Sequence, residues 1–231
     1  MGIAYNPRIV TDGLVLALDA GNTKSYPGSG ATWTDLSGNG NNGSLENGVG
    51  YSGSNGGSLS FDGTDDYVDI GNCTDFFPSG SQSHNISISL WVKLPDTSNN
   101  IVFGQQNVEN ERLYISTYDG NWDVGWGQYS WSSTGASGTF INSSTNWTNL
   151  VMRVSNGVAT LYVNSIESIS KTDTSVNLQG KLPIGAYFYL NSIDSGNSNP
   201  NNISVTQIYN RALTASEIQQ NFNATRGRFG I

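Results

Sequence analysis

Twice the chain runs an alternating segment into a two-residue turn and straight back out. LYISTYDGNWDVGWG carries Asp119-Gly120 at its centre, and LVMRVSNGVATLYVN carries Asn156-Gly157. A type I′ turn needs φ > 0 at both central residues, and Asp-Gly and Asn-Gly meet that demand at little steric cost. Each segment therefore predicts an antiparallel hairpin, residues 151–154 folding back on residues 159–163 in the second. Paired short strands leave little room for anything but a sheet protein.

The remaining segments agree. GLVLALDA places Leu14, Leu16 and Leu18 on one face, the period of a strand with one buried side. GNTKSYPGSGATWTDLSGNGNNGSL is dense in Gly, Asn, Ser and Asp and predicts a long ordered loop. SLSFDGTDDYVDIG predicts strands over residues 59–61 and 67–70 around an Asp-Gly turn. NISISLWVKL buries Ile86, Ile88 and Leu90 or their neighbours, with Trp91 and Val92 closing the run; KLPIGAYFYL and NISVTQIYN supply the last strands. No solenoid period and no composition shift divides the chain. Residues 1–231 read as one domain, with residues 1–12 as an N-terminal arm.

One stretch breaks the pattern. In NRALTASEIQQNF, Thr214 can accept from the backbone N–H of Glu217 while the Glu217 carboxylate reaches back to the N–H of Thr214, a capping box. Leu213 and Ile218 stand in the positions of a hydrophobic staple, and Phe222 lies one turn beyond Ile218 on the same face. A helix over residues 214–223 is predicted, laid on apolar surface as a structural lid.

Composition narrows the partners. Charged residues make up 12% of the 231, half the roughly 25% usual in globular domains, and Gly alone numbers 28. The formal charge of −8 opposes phosphate backbones and anionic membranes, so neither nucleic acid nor membrane insertion is expected. The single Cys73 excludes an intrachain disulfide and a cysteine-based zinc site, and predicts a buried thiol. MGIAYNPRIV has no apolar h-region and no run reaches the length of a membrane span, so no secretory signal is expected. The sequons at Asn85, Asn146 and Asn223 then read as incidental to an Asn-rich surface.

LVLALDAGNTKSYPGSGATWTDLSGNGNNGSL, SLSFDGTDDYVDIG, ISISLWVK, NWTNLVMRVSNGVATLYVN and IYNRALTASEI fall in the order seen in laminin-G-like domains. The chain thus resembles the concanavalin A-like lectin/glucanase superfamily over nearly its whole length. The resemblance implies an all-β jelly-roll sandwich of two antiparallel sheets, with the C-terminal helix across one edge or opening. It also implies one structural Ca²⁺ at a loop-rich rim, drawing here on Asp19, Asp35 and Asn39. Where the family has Asn-Gly after LYV, this chain has Asn164-Ser165. The opening and NFNATRGRFGI resemble virion structural proteins of tailed phages, particularly those from marine hosts.

Catalytic constellations are weak. His84 is the only histidine and no Gly-x-Ser-x-Gly elbow accompanies it. Glu109 and Glu111 in VENER, and the acids of DGTDDYVD, lack the Glu-x-Asp-x-x-Glu alternation of the superfamily's hydrolases, whose paired carboxylates act as acid and nucleophile. Residues 119–125 have oxygen donors at alternate positions but lack the Gly and the distal Glu of an EF-hand, so the hairpin reading prevails. Aromatics are the stronger signal. Trp122 and Trp126 share a strand face, with Tyr129 and Trp131 beyond, and aromatic faces bind sugar C–H groups while nearby Asn, Gln and Asp take the hydroxyls. These four are the expected glycan contacts, although the same alternation builds sandwich cores, to which Trp91 and Trp147 are assigned.

The expectation is a non-enzymatic virion surface protein, a capsid decoration or fibre-associated adhesion domain. Its partners would be phage capsid or tail subunits and host surface glycans, with room for a homo-oligomer. The competing reading is a free-standing lectin or glycoside hydrolase acting on polysaccharide.

Overall fold

Both predicted hairpins form. Asp119 and Gly120 sit at φ 50° and 75°, and Asn156 and Gly157 at 49° and 79°. They join Arg112–Tyr118 to Asn121–Gly127 and Thr148–Ser155 to Val158–Val163. A third turn of the same hand, Asn164 and Ser165 at φ 50° and 66°, leads into Ile166–Thr172. Serine thus holds a left-handed position that glycine occupies more cheaply. The computed structural model describes residues 7–78, 84–106, 111–127, 136–174, 176–189, 192–194 and 200–231.

The strands build two sheets. In the first, the order across the sheet is Ser137–Gly138, Ile166–Thr172, Val158–Val163, Thr148–Ser155, Ile86–Lys93, Asn201–Tyr209, Ser58–Phe61 and Gly50–Ser52. Leu14–Asp19 takes the rest of the free edge of Asn201–Tyr209, pairing antiparallel from Tyr209 to Val205. In the second, the order is Asn121–Gly127, Arg112–Tyr118, Asn100–Gln106, Lys181–Ile184, Tyr67–Asn72, Gly43–Glu46 and Thr32–Trp33. Among the described residues, its one parallel contact sets Phe188–Tyr189 beside Asn100–Gln106. The segments around Asp62-Gly63 therefore belong to different sheets, and the turn between them crosses the sandwich instead of closing a hairpin. Within the predicted long loop, Thr32–Trp33 and Gly43–Glu46 are strands.

The core lies between the sheets. Leu16, Leu18, Ile86, Ile88, Leu90 and Val92 face Val68, Val102, Ile115, Trp122, Val124 and Trp126 across it, all essentially inaccessible. Leu14 departs from the predicted alternation. A register shift between Leu14 and Leu16 turns it to the opposite face, where it packs with Val151, Tyr209 and Leu213.

That opposite face is where the helix goes. Ala215–Thr225 is capped by Thr214, with both arms of the capping box made, and continues as a 3₁₀ turn over Arg226–Phe229. Leu213 and Ile218 pack with Val151, Tyr162 and Tyr209; Phe222 and Phe229 pack with Trp91, Trp147 and Val205. The prediction of a lid holds, but its place is the outer face of the first sheet rather than a rim. Strands such as Ile86–Lys93 are buried on both faces: Ile86, Ile88, Leu90 and Val92 face the core, while Ser87, Ser89 and Trp91 face outward.

One charged pair lies inside. Lys171 Nζ is 3.0 Å from an Asp123 carboxylate oxygen, the two side chains 0% and 1% exposed. Burial pushes the Asp123 carboxyl up from its ordinary range and Lys171 pulls it back. The pair ties the edge strand of one sheet to Ile166–Thr172 of the other.

Candidate functional site

At one end of the sandwich, residues 140–147 connect Ser137–Gly138 to Thr148–Ser155 of the first sheet and touch the edge of the second on the way. Backbone bonds pin them to the Asp119-Gly120 hairpin. The Trp122 N–H donates to the Ile141 carbonyl at 3.0 Å, the Ser143 N–H donates to that of Gly120 at 2.9 Å, and Asn121 bridges to Asn142. Opposite stands the 3₁₀ turn Arg226–Phe229. The Arg228 guanidinium holds it, donating to Asp19 Oδ1 at 2.6 Å, to the carbonyls of Asn55 at 3.2 Å and Gly57 at 3.1 Å, and to Ser204 Oγ. Phe229 stacks on Trp91 with centroids 4.0 Å apart and meets Trp147 at 5.0 Å.

A cleft of about 560 Å³ opens between these two walls. The buried part of its lining comprises Trp122, Trp147, Thr148, Val163 and Phe229; the exposed part includes Asn55, Lys93, Asn142 and Asn146. Among the described residues, the side-chain amides of Asn55, Asn142 and Asn146 make no hydrogen bond, only their backbones do. A primary amide offers two N–H donors and a carbonyl oxygen with two acceptor lone pairs, so the mouth presents three bifunctional groups beside an indole wall. The indole N–H groups of Trp122 and Trp147 are buried without an acceptor, an arrangement that costs about 1–3 kcal/mol per donor. Among the described residues, no aspartate or glutamate lines the cleft.

The expected glycan contacts fare differently. Trp122 and Trp126 are 1% and 0% exposed and belong to the inter-sheet core. Trp126 spends its N–H on the carbonyls of Gly157 and Asp173, each at 3.0 Å. Their shared face is the inner one, which corrects the reading of that face as ligand-binding; only Trp122 reaches the cleft, through its lining. Tyr129 and Trp131 lie outside the described residues. Trp147, read as core, is the aromatic that walls the cleft, and the Asn/Ser-rich INSSTNW leading up to it was the available signal.

The implied calcium ligands are engaged elsewhere. Asp35 Oδ1 accepts from the backbone N–H groups of Ala17 and Ser37, both at 2.8 Å, and Oδ2 accepts from Ser37 Oγ at 2.7 Å and Asn41 N at 3.1 Å. Asn39 donates through Nδ2 to the Leu14 carbonyl at 3.2 Å, and Asp19 pairs with Arg228. These three fasten the long loop and the terminal turn. Among the described residues, the carboxylates that do converge are Asp62, Asp65 and Asp66, within 4.8 Å of one another. Backbone N–H donation from Thr64 holds Asp62 below the usual carboxylate range, whereas burial raises Asp66.

The remaining chemical candidates are structural. Glu111 is buried and accepts from the Asn177 N–H, and Glu109 lies outside the described residues. His84 is buried edge-on to Trp126, its Nε2 against the Val176 carbonyl, and burial lowers its pKa. Burial pushes the Cys73 thiol up to about 12, leaving it inert. No described helix is long and apolar enough to cross a membrane.

The fold recurs among solved structures. The binding domain of Paraclostridial Mosquitocidal Protein 1 superposes with a TM-score of 0.64 at 20% identity, over 93% of this chain and 52% of that one. Domain 4 of AbnA, a GH43 extracellular arabinanase from Geobacillus stearothermophilus solved in complex with arabinotriose, gives 0.58 at 21% identity, over 91% and 98%. Trypanosoma rangeli sialidase in complex with sialic acid gives 0.65 at 14%, over 97% and 36%. The chain thus spans about half the length of the first of these structures and all but the whole of the second. No curated protein matches by sequence. Residues 62–219, well over half the chain, match the family described as the Concanavalin A-like lectin/glucanases superfamily, and the chain belongs to it.

Proposed function

We propose that the chain is a non-catalytic saccharide-binding domain that holds its ligand in the cleft between residues 140–147 and the terminal 3₁₀ turn. One observation carries the reading: three asparagine amides without partners among the described residues line a cleft walled by Trp147. Amides meet the paired donor and acceptor character of adjacent hydroxyls, and an indole meets the apolar face of a sugar ring. The arabinotriose bound to domain 4 of AbnA shows that a domain superposing on this chain takes an oligosaccharide.

A glycan array with the intact chain, followed by calorimetry on the best ligand, tests this. Asn142→Ala and Asn146→Ala should each weaken binding about fivefold to thirtyfold, one or two hydrogen bonds' worth. Both positions are exposed, so melting temperature should barely move. Failure of every saccharide to bind, or undiminished affinity in the double variant, would sink the reading. The non-catalytic part rests on a cleft lining without carboxylate side chains, and predicts no release of reducing ends from β-glucan, agar or host polysaccharide.

We further propose placement on a phage virion surface, bound to capsid or tail subunits. Its support is the resemblance of the chain's opening and of NFNATRGRFGI to tailed-phage structural proteins; the structural neighbours name toxin binding domains and carbohydrate-active enzymes. Co-sedimentation with intact particles at fixed stoichiometry is the expected result, and recovery only from the soluble lysate would remove this placement.

A further inference from the structure

The Arg228 guanidinium sits in a socket of oxygens drawn from three segments far apart in sequence. Nη1 donates to Asp19 Oδ1 at 2.6 Å, Nε to the Asn55 carbonyl at 3.2 Å, and Nη2 to the Gly57 carbonyl at 3.1 Å and to Ser204 Oγ. Ser204, itself 0% exposed, gives its hydroxyl proton to the Gly57 carbonyl, which leaves its lone pairs for Arg228. Gly21 and Gly56 keep the socket open: a Cβ on Gly21 would lie 2.5 Å from the guanidinium carbon, and one on Gly56 2.8 Å from Nε. That carbon stands 5.1 Å from the centroid of the Phe229 ring, over its face. Acceptors around the edge and a ring against the face suit a flat fork of N–H donors.

The calcium ion that the family resemblance implies would draw on Asp19 and Asp35, and these residues do not fit one. Asp35 accepts from the N–H groups of Ala17, Ser37 and Asn41 and from the Ser37 hydroxyl, which uses the roughly four lone-pair sites of a carboxylate. Asp19 Oδ1 is shared between the Gly21 N–H at 2.8 Å and Arg228. Ca²⁺ takes about six to eight oxygens at roughly 2.3–2.6 Å from one centre. The acceptors around Arg228 instead meet three different nitrogens of a planar group and so stand apart along its edge. We propose that the socket is a guanidinium-binding site in which Arg228 takes the place of a metal ion. The Asp19 charge is matched by a delocalised charge tethered to the chain, and the turn that walls the cleft is held without a metal.

Thermal melts of the intact chain test this. Neither millimolar Ca²⁺ nor EDTA should move the melting temperature of the native chain, an arm that needs no variant to fold. Arg228→Ala should lower it by several degrees. Millimolar ethylguanidinium should recover about half of that loss or more, because it refills the socket and binds only the folded chain, whereas Ca²⁺ should recover none. Arg228→Lys keeps the charge but loses the fork, and should melt close to Arg228→Ala. Adding Asp19→Asn to Arg228→Ala should abolish the ethylguanidinium effect, which separates filling of the socket from a general solute effect. A native chain stabilised by Ca²⁺, or rescue of Arg228→Ala by Ca²⁺, puts a metal ion at this rim and overturns the proposal. No rescue by ethylguanidinium, equal rescue in the Asp19→Asn background, or an Arg228→Lys variant as stable as the native chain overturns the guanidinium socket. None of these outcomes bears on the saccharide reading.

Discussion

Glu217 does two jobs with one carboxylate. It accepts from the N–H of Thr214 at 2.7 Å to complete the cap, and takes a two-pronged contact from Arg211 at 2.6 and 2.9 Å. Hydrogen bonding from Arg211, more than the cap itself, brings its pKa down from 4.5 to about 2. An acid whose pKa is lower folded than unfolded stabilises the fold above the unfolded value and loses that contribution as pH falls through the folded one. The melting-temperature gap between the native chain and Glu217→Gln should therefore be full above pH 4.5 and close as pH approaches 2. A gap independent of pH would mean the carboxylate contributes only hydrogen-bonding shape. Asp123 is the opposite case. Buried and matched only by Lys171 at 3.0 Å, its replacement by Asn strands a charge in the interior and should cost about 3–5 kcal/mol. Replacing both partners together, Asp123→Leu with Lys171→Met, should cost far less in a denaturant melt, because no uncompensated charge remains.

Elements differ in how readily a sequence shows them. The helix was legible because its signals are consecutive: Leu213, Thr214, Glu217 and Ile218 each have a separate local job. Its seat was not, because alternation in Ile86–Lys93 turns Trp91 outward with Ser87, Ser89 and Lys93 but cannot say what covers that face. The hairpins were legible for the same local reason, two residues with φ > 0 at each turn. The cleft was illegible. Asn55, Lys93, Asn142, Asn146 and Phe229 meet only because the sheets bring distant segments to one end, and the regular alternation of Trp122 and Trp126 marked the inner face instead. Truncation measures what the seat is worth. Phe222 stacks over Trp91 at 5.8 Å and 12°, so Phe222→Ala should cost about 3–5 kcal/mol. Thr214→Ala removes a cap and no packing, for about 1 kcal/mol. Equal effects in a urea melt would place the helix's stability in its cap.

Across the whole molecule, the two ends of the chain hold each other. Leu14–Asp19 pairs with Asn201–Tyr209, the Val10 N–H donates to Asn221 Oδ1 at 2.7 Å, and Arg228 reaches Asp19. Contacts of such long sequence separation place folding in the slow range of two-sheet proteins, milliseconds to seconds. They also make the cleft a property of the closed fold, since one wall is the end of the chain and the other comes from residues 140–147. A ligand seated there binds only the closed form, and at a hundredfold its dissociation constant should stabilise it by about 2.7 kcal/mol. For a chain of this size that raises the melting temperature by several degrees. Hydrogen exchange locates the effect. With saccharide bound, amides of residues 141–148 and of the turn Arg226–Phe229 should slow together, although some eighty residues of sequence separate them. Protection confined to residues 141–148 would show that the ligand touches the loop and the hairpin alone. The Arg228–Asp19 clamp would then serve stability only, and Arg228→Ala would lower the melting point without changing affinity. If the turn is a wall, Arg228→Ala lowers both, and the loss of affinity persists when measured well below the melting temperature.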